Sequence, residues 1–392
     1  MFLDLKRYTY LAGSILRGSG RSLDSMCIRY RALIAGLLVL VGGQTLAVSE
    51  VSGPGQLGRY FLGWDEFQDW ERTASLDSVS LLSPLVQAPL VFDQVILSWN
   101  TMPGETAPLE FSVQVSQPEG WSRPYVLGRW APGAQNELRT SVGGQSDQCA
   151  KVLTDTLVLT EPVSSLRVGV KRLGSEGDVG LSFVGVSLLN SQIEVEPLGP
   201  VRSCWGTELA VPQLCQLDYE GGGVWCSPTS VGMVMSHWAN VLHRDELRRT
   251  VPDLAAQVFD PAWGGTGNWP FNTAFAGGFS GIRGCVVRLG DVSELEAFVE
   301  AGVPVVVSVA YSVLKREPKR ASDGHLIVCV GFTEKGDIIV NDPAKKGRVR
   351  WVYGRKAFQD AWSRSRNTAY LVYPEDWELP VDSFGHWSAG SR

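Results

Sequence analysis

The stretch VPQLCQLDYEGGGVWCSPTSVGMVMSHW, residues 211–238, decides how the second half of the chain reads. Cys226 comes straight after a glycine-rich turn. Ser227 and Pro228 then supply N-terminal helix signals, because the first helical turn has no use for the N–H that proline lacks. Val231, Val234, Met235 and Trp238 fall at i, i+3, i+4 and i+7, which is one buried face of a helix. The spacing therefore predicts Cys226 at the N-terminus of a core-anchored helix, where the partial positive charge of the helix end favours a thiolate. A small buried hydrophobe or a half-cystine is the competing role for a cysteine in this position.

A nucleophilic thiolate needs a base, and the chain has only four histidines. His237 lies on the same helix, roughly 16 Å along it at about 1.5 Å per residue. His243 is farther still, and His386 falls in a polar C-terminal stretch that reads as frayed. His325 remains, after Gly324 at the mouth of the apolar strand HLIVCVGFT (325–333). The following strand, GDIIVN (336–341), runs into Asn341-Asp342-Pro343. Two neighbouring antiparallel strands can bring His325 and Asp342 within hydrogen-bonding reach at one sheet edge, where a carboxylate fixes the imidazole tautomer. Asp342 is equally at home as a plain turn residue, and a histidine at a strand end as a satisfied half-buried side chain. The ordered set Cys226, His325, Asp342 is more telling than any member alone.

These segments together resemble the C39-like cysteine peptidases, a branch of the papain-like fold. The resemblance is carried by VPQLCQ (211–216), WCSPTS (225–230), GNWPFN (267–272), AGVPVVVSV (301–309), GHLIVCVGF (324–332) and GDIIVNDP (336–343). It implies an α+β peptidase domain over 211–375, with Cys226 as nucleophile, His325 as general base and Asp342 as its orienting partner. It also implies a glutamine upstream of the cysteine whose amide helps to form the oxyanion hole. The VP-x-x-x-Q match selects Gln216, with Gln213 as the second choice. The Cys-Gly pair common in such proteins is Cys226-Ser227 here. Trp269 and Phe271 of GNWPFN are expected either to line a substrate groove or to pack as a loop and helix start.

The rest of the chain is written differently. Runs such as LVFDQVILSW (90–99), LEFSVQVS (109–116), SLRVGVKRL (165–173) and LSFVGVSLL (181–189) alternate with turn residues. They predict an all-β sandwich over 61–195, without a histidine. Its tryptophans, Trp70, Trp99, Trp121 and Trp130, are core or a platform for a cell-surface or glycan ligand. Residues 196–210 read as a connector, and 376–392 as a flexible tail.

Residues 32–41, ALIAGLLVLV, follow Arg29 and Arg31 and precede small residues around Ala47 and Ser49, the pattern of a secretory signal. Met26 opens a complete signal of that kind and is the expected true start, so residues 1–49 are read as a signal region and 50–60 as a linker. The expected location is secreted, with a membrane anchor if the signal is retained. Gly53, Gly55 and Gly58 spell GxGxxG, but Pro54 interrupts it and no strand precedes it, so it carries no dinucleotide site. Lys and Arg number 35 against 41 Asp and Glu, a net charge of −6, which argues against a nucleic-acid partner. No phosphate loop, HExxH or paired CxxC is present, so no cofactor or metal is implied.

The expected activity is hydrolysis of peptide or amide bonds through a thioester, on a peptide or protein substrate. An amidase or acyltransferase on the same residues, a non-catalytic glycan- or peptide-binding protein, and an accessory protein without a substrate are the alternatives. Of the seven cysteines, Cys204 and Cys215 are the expected disulfide and Cys329 a buried hydrophobe.

Overall fold

A computed structural model describes residues 58–388, apart from 76, 134–137, 175–176 and 318–322. The expected signal segment, Met26 and most of the linker lie outside the described residues. Glu50–Arg392 cluster as one compact unit.

The N-terminal half is built on period-two alternation. In Leu109–Gln117, Leu109, Phe111, Val113 and Val115 are buried while Glu110, Ser112 and Gln114 are only half-buried. Two separate packed sheets are expected from such strands. The described strands instead form one curled antiparallel sheet of ten, ordered along its main path as Arg59–Trp64, Leu181–Leu189, Val86–Thr101, Thr156–Leu173, Ser78–Leu82 and Glu71–Ser75. The physical cause is the length of Thr156–Leu173. Its first residues pair with Val86–Thr101 and Ala150–Leu153, and its last with Ser78–Leu82 and Leu109–Gln117. Register shifts at Gln87/Phe92 and Phe92/Gln94 let it change neighbours, as bulges do, so both layers share one strand. The core inside the curl centres on Trp99, stacked on Phe111 with ring centroids 4.1 Å apart.

The C-terminal half is α+β. Its six strands are all antiparallel, in the order Ile282–Arg288, Thr368–Pro374, Val305–Ala310, Gly324–Phe332, Ile338–Asn341 and Arg350–Tyr353. The helix Cys226–Leu242 packs on this sheet through Val231, Val234, Met235 and Trp238, the stripe read in the sequence. The Trp238 indole N–H anchors it by donating to the Val372 carbonyl at 2.6 Å.

The two halves are joined at the edge strand Ile282–Arg288. An edge strand leaves outward-facing N–H and C=O groups without a ladder partner. Side chains of the N-terminal half supply the partners. The Asn100 amide donates to the Gly284 carbonyl at 2.9 Å and accepts from the Gly284 N–H at 3.0 Å, while Ser98 Oγ accepts from the Val286 N–H at 2.8 Å. Asp155 accepts the Trp269 N–H at the start of the helix Trp269–Ala276. That helix pushes Phe271 into the core of the N-terminal half, against Trp99 and Trp130.

Two expectations meet differences here. Residues 375–388 fold back on the body rather than fraying: Phe384 and His386 are buried, His386 bonds Glu294 at 2.8 Å, and its carbonyl accepts the Phe61 N–H. A few apolar anchors outweigh the polar average of that segment. Cys204 and Cys215 form no disulfide, and all six described cysteines are free. Both are packed as small hydrophobes in the C-terminal core, Cys204 in electrostatic reach of Cys329 and Glu296 rather than linked to Cys215.

Two measurements test the junction. Phe271→Ala should lower the unfolding free energy by about 3–5 kcal/mol, the usual cost of emptying a large aromatic site. A urea titration showing less than about 1 kcal/mol would contradict the placement. Burial pushes the Asp155 carboxyl up to about 6, above an ordinary aspartate near 3.9. Between those values the folded state holds the proton and the unfolded state does not, so this residue makes stability fall as pH rises through that window. Asp155→Asn should flatten that fall; an unchanged slope would remove Asp155 as its source.

Candidate active site

The helix Cys226–Leu242 starts with Trp225 at its cap position and no side-chain cap, so its first turn offers backbone N–H groups to whatever sits there. The Cys226 sulfur takes that place. It lies in electrostatic reach of the Ser227 and Leu326 backbone N–H groups and of the His325 imidazole, all of which favour its charged form. His325 lies in the strand Gly324–Phe332, which packs against this helix, and the Ser230 hydroxyl ties the two by donating to the Leu326 carbonyl.

His325 Nε2 lies 2.7 Å from Asp342 Oδ1, which leaves Nδ1 for the cysteine. Val328 pairs with Asn341 in the ladder of the two strands, so His325 and Asp342 sit at the same end of the sheet. His325 is 5% exposed and Asp342 fully buried. The charges follow from these contacts. Burial works against every charged form here, but it is outweighed. Bonds to Asp342 and Cys226 hold the imidazole above its usual range, His325 holds the Cys226 thiol below its own, and His325 and Tyr353 keep Asp342 below the ordinary carboxylate range. The arrangement favours a thiolate–imidazolium pair oriented by a carboxylate.

Gln216 stands between the two parts. Its backbone N–H donates to the Pro343 carbonyl at 3.0 Å, next to Asp342, and its amide donates to the Gly222 carbonyl at 2.8 Å, in the turn that leads into Cys226. This closeness demands glycine at 222, where a Cβ would come within 1.8 Å of the Gln216 carbonyl oxygen. Gly222 uses one amide hydrogen, and the amide has a second to give. Gln213 is placed otherwise: its side-chain oxygen accepts the Arg350 N–H, a structural contact.

The other histidines stand apart from this group. His237 is buried mid-helix, edge-on to Trp238; His243 ends the helix in a left-handed conformation; His386 pairs with Glu294. Of the aromatic pair in GNWPFN, Phe271 is withdrawn into the N-terminal core and Trp269 is half-buried, so Phe271 lines no groove.

Sequence reasoning missed three contributors. The Tyr311 and Tyr353 hydroxyls both donate to Asp342 Oδ2, at 3.0 and 2.9 Å. Nothing in the spacing of either tyrosine marks it. The third is Asp260, fully buried, which accepts from the Ser141 N–H of the N-terminal half and from the Asn268 amide. It organises a loop whose Thr266 hydroxyl donates to the Val224 carbonyl, two residues before Cys226. Val224, Trp263, Tyr219 and Leu217 form exposed apolar positions on the segments flanking Cys226. Among the described residues no group of three or more His, Cys, Asp and Glu could hold a metal. The cavity walled by Leu198, Val201, Phe298, Leu379 and Trp387 involves none of Cys226, His325 and Asp342.

Residues 208–370 match the model of the Peptidase C39-like family, and residues 51–186 match that of the peptidase C39 N-terminal domain. No curated protein matches the chain. Among solved structures, a C39-like peptidase from Bacillus anthracis aligns at 17% identity and a TM-score of 0.34, covering 42% of this chain and 96% of that one. A structure described by the promiscuous specificity of carbohydrate-binding modules of the β-sandwich superfamily aligns at 12% identity and a TM-score of 0.17, covering 36% of this chain and 61% of that one.

The site predicts selective chemistry. Iodoacetamide at neutral pH should label Cys226 first among the six described cysteines, because burial holds Cys204, Cys285 and Cys329 above the ordinary thiol range. His325→Ala should slow that labelling by about tenfold or more, since a one-unit rise in thiol pKa is tenfold in thiolate. Peptide mapping that finds another cysteine labelled first would contradict the assignment.

Proposed function

We propose that this chain, a member of the C39-like peptidase family, is an exported cysteine peptidase that hydrolyses peptide or amide bonds through a Cys226–His325–Asp342 triad. One observation carries the reading: the His325 imidazole, in electrostatic reach of Cys226 at the helix start, has its Nε2 held 2.7 Å from a fully buried carboxylate. Support for export is the apolar run 32–41 behind Arg29 and Arg31. A nucleophile helix packed on an antiparallel sheet that carries base and carboxylate supports a papain-like arrangement. The curled N-terminal sheet is read as a variant of a β-sandwich.

The chemistry runs in two halves. The Cys226 thiolate attacks the substrate carbonyl carbon, and the carbonyl π electrons move to oxygen. The oxyanion receives hydrogen bonds from the first-turn N–H of Cys226 and from the second amide hydrogen of Gln216. His325 Nδ1–H gives its proton to the leaving nitrogen as the C–N bond breaks, leaving a thioester and a neutral imidazole. The imidazole then takes a proton from water as the water oxygen adds to the thioester. Collapse expels the Cys226 thiolate with the imidazolium restored and releases the carboxylic acid. Asp342 stays ionised throughout and stabilises the imidazolium twice per cycle.

The chain's acidity adds no preference for a polyanion.

The test is a peptide-library digest read by mass spectrometry. Cys226→Ala should abolish cleavage, and Gln216→Ala should lower kcat by about 100–1000-fold with KM little changed, the cost of one oxyanion donor. A short incubation with an activated ester should leave an acyl group on Cys226. Cleavage that survives Cys226→Ala would overturn the reading.

A further inference from the structure

The triad uses one oxygen of Asp342, and the structure spends as much on the other. Oδ1 accepts from His325 at 2.7 Å and from the Ala344 N–H at 3.0 Å. Oδ2 accepts from Tyr311 at 3.0 Å and from Tyr353 at 2.9 Å. A carboxylate can turn about its Cβ–Cγ bond, and any turn would carry Oδ1 off the imidazole. Two donors converging on Oδ2 from different elements oppose that rotation. One comes from the start of the helix Tyr311–Lys315, the other from the end of the strand Arg350–Tyr353. Tyr311 does a second thing. Its ring lies on the His325 imidazole, centroids 4.1 Å apart and planes at 37°, covering one face of the base.

We propose that Tyr311 and Tyr353 are positioning residues of the active site, a pair of hydroxyls that clamp Asp342 so that it stays ionised and aimed at His325, with the Tyr311 ring holding the imidazole in plane. The proposal rests on the reading of Cys226 as the nucleophile and His325 as its base. Neither tyrosine touches substrate in it; both act through Asp342 and His325.

The clamp is itself held. The Tyr311 N–H donates to the Asp323 carbonyl, and the Asp323 carboxylate accepts from the Ser312 N–H at 2.6 Å and the Ser312 hydroxyl at 2.7 Å, which fixes the first turn of the short helix. Lys315 Nζ sits 4.4 Å above the Tyr311 ring centre, with Glu317 nearby, and Lys345 lies 5.9 Å from the Tyr353 ring centre. The two phenols also interact with each other. An ionised carboxylate only accepts hydrogen bonds, so both phenols serve as donors as long as Asp342 is charged. Burial and the facing carboxylate hold both phenols above their ordinary range, so they remain donors through the range in which a thiolate–imidazolium pair operates.

The test is the pH dependence of Cys226 alkylation by iodoacetamide, followed by peptide mapping, on the full chain. It needs no knowledge of the natural substrate. Tyr311→Phe and Tyr353→Phe remove one hydroxyl each and keep ring and volume. Without its donors Asp342 takes up a proton at higher pH and no longer supports the imidazolium, so the acid limb of Cys226 labelling should move upward. The shift should be partial in each single variant and about one pH unit in the double variant, equivalent to about tenfold in proton affinity. Tyr311→Leu, which also removes the ring, should slow labelling at neutral pH several-fold beyond Tyr311→Phe. Melting temperatures of the variants separate loss of fold from loss of positioning. A double Phe variant that melts like the wild type, or below it, with an unmoved acid limb would overturn the clamp. If wild-type protein labels another cysteine first, the catalytic reading fails instead, so the two failures are told apart.

Discussion

A carboxylate with no exposed surface is tolerable only if its hydrogen bonds are all made inside the protein, and the arrangement of the C-terminal half follows from meeting that condition at Asp342. Water cannot solvate it, and an unpaired buried charge would cost several kcal/mol. Four donors from four places converge on its two oxygens: His325 across the neighbouring strand, the Ala344 N–H of its own turn, Tyr311 from a short helix and Tyr353 from the edge strand. Satisfying Asp342 fixes the order of three strands and one helix. The same contacts raise the His325 imidazole above its usual range and lower the Cys226 thiol below its own, because both neighbours of the imidazole favour its protonated form. Stability of the sheet edge and reactivity of the thiol are thus consequences of one set of contacts.

The N-terminal half takes part through structure rather than chemistry. It covers the outer edge of the C-terminal sheet with Asn100 and Ser98, receives Phe271 into its core, and holds the Asp260 loop through the Ser141 N–H. That loop reaches the Val224 carbonyl through Thr266, so the turn that delivers Cys226 leans on a scaffold made by both halves. The catalytic role proposed for Cys226 requires it to be held to within a fraction of an ångström, and rigid neighbours on two sides favour that.

The sequence made the grouping of Cys226, His325 and Asp342 readable for a physical reason. A cysteine at a helix start has a local signature: turn, proline and a 3.6-period stripe all lie within thirteen residues of Cys226. Four histidines left few candidates for a base, and strand-end placement tied His325 to Asp342. Gln216 came from the family resemblance, because ten residues separate it from Cys226 and only the folded turn through Gly222 closes that gap. Tyr311 and Tyr353 were invisible, since a tyrosine in a strand or at a helix start looks the same whether its hydroxyl meets water or a carboxylate. The single curled sheet was hidden because period-two alternation names strands and faces but not how far a strand runs between neighbours. The C-terminal stretch misled through its average polarity, when Phe384, His386 and Trp387 decide its packing. Local patterns were legible, and contacts between residues far apart in the chain were not.

The central claim is that Cys226 rests as a thiolate paired with the His325 imidazolium. The most direct measurement is an ultraviolet titration of thiolate absorbance, taken as wild type minus Cys226→Ser. The account predicts a thiolate already formed well below the ordinary thiol range near 8.5, with its acid midpoint moving up toward that range in His325→Ala. A difference spectrum that develops only near 8.5 in the wild type, unchanged by His325→Ala, would contradict it.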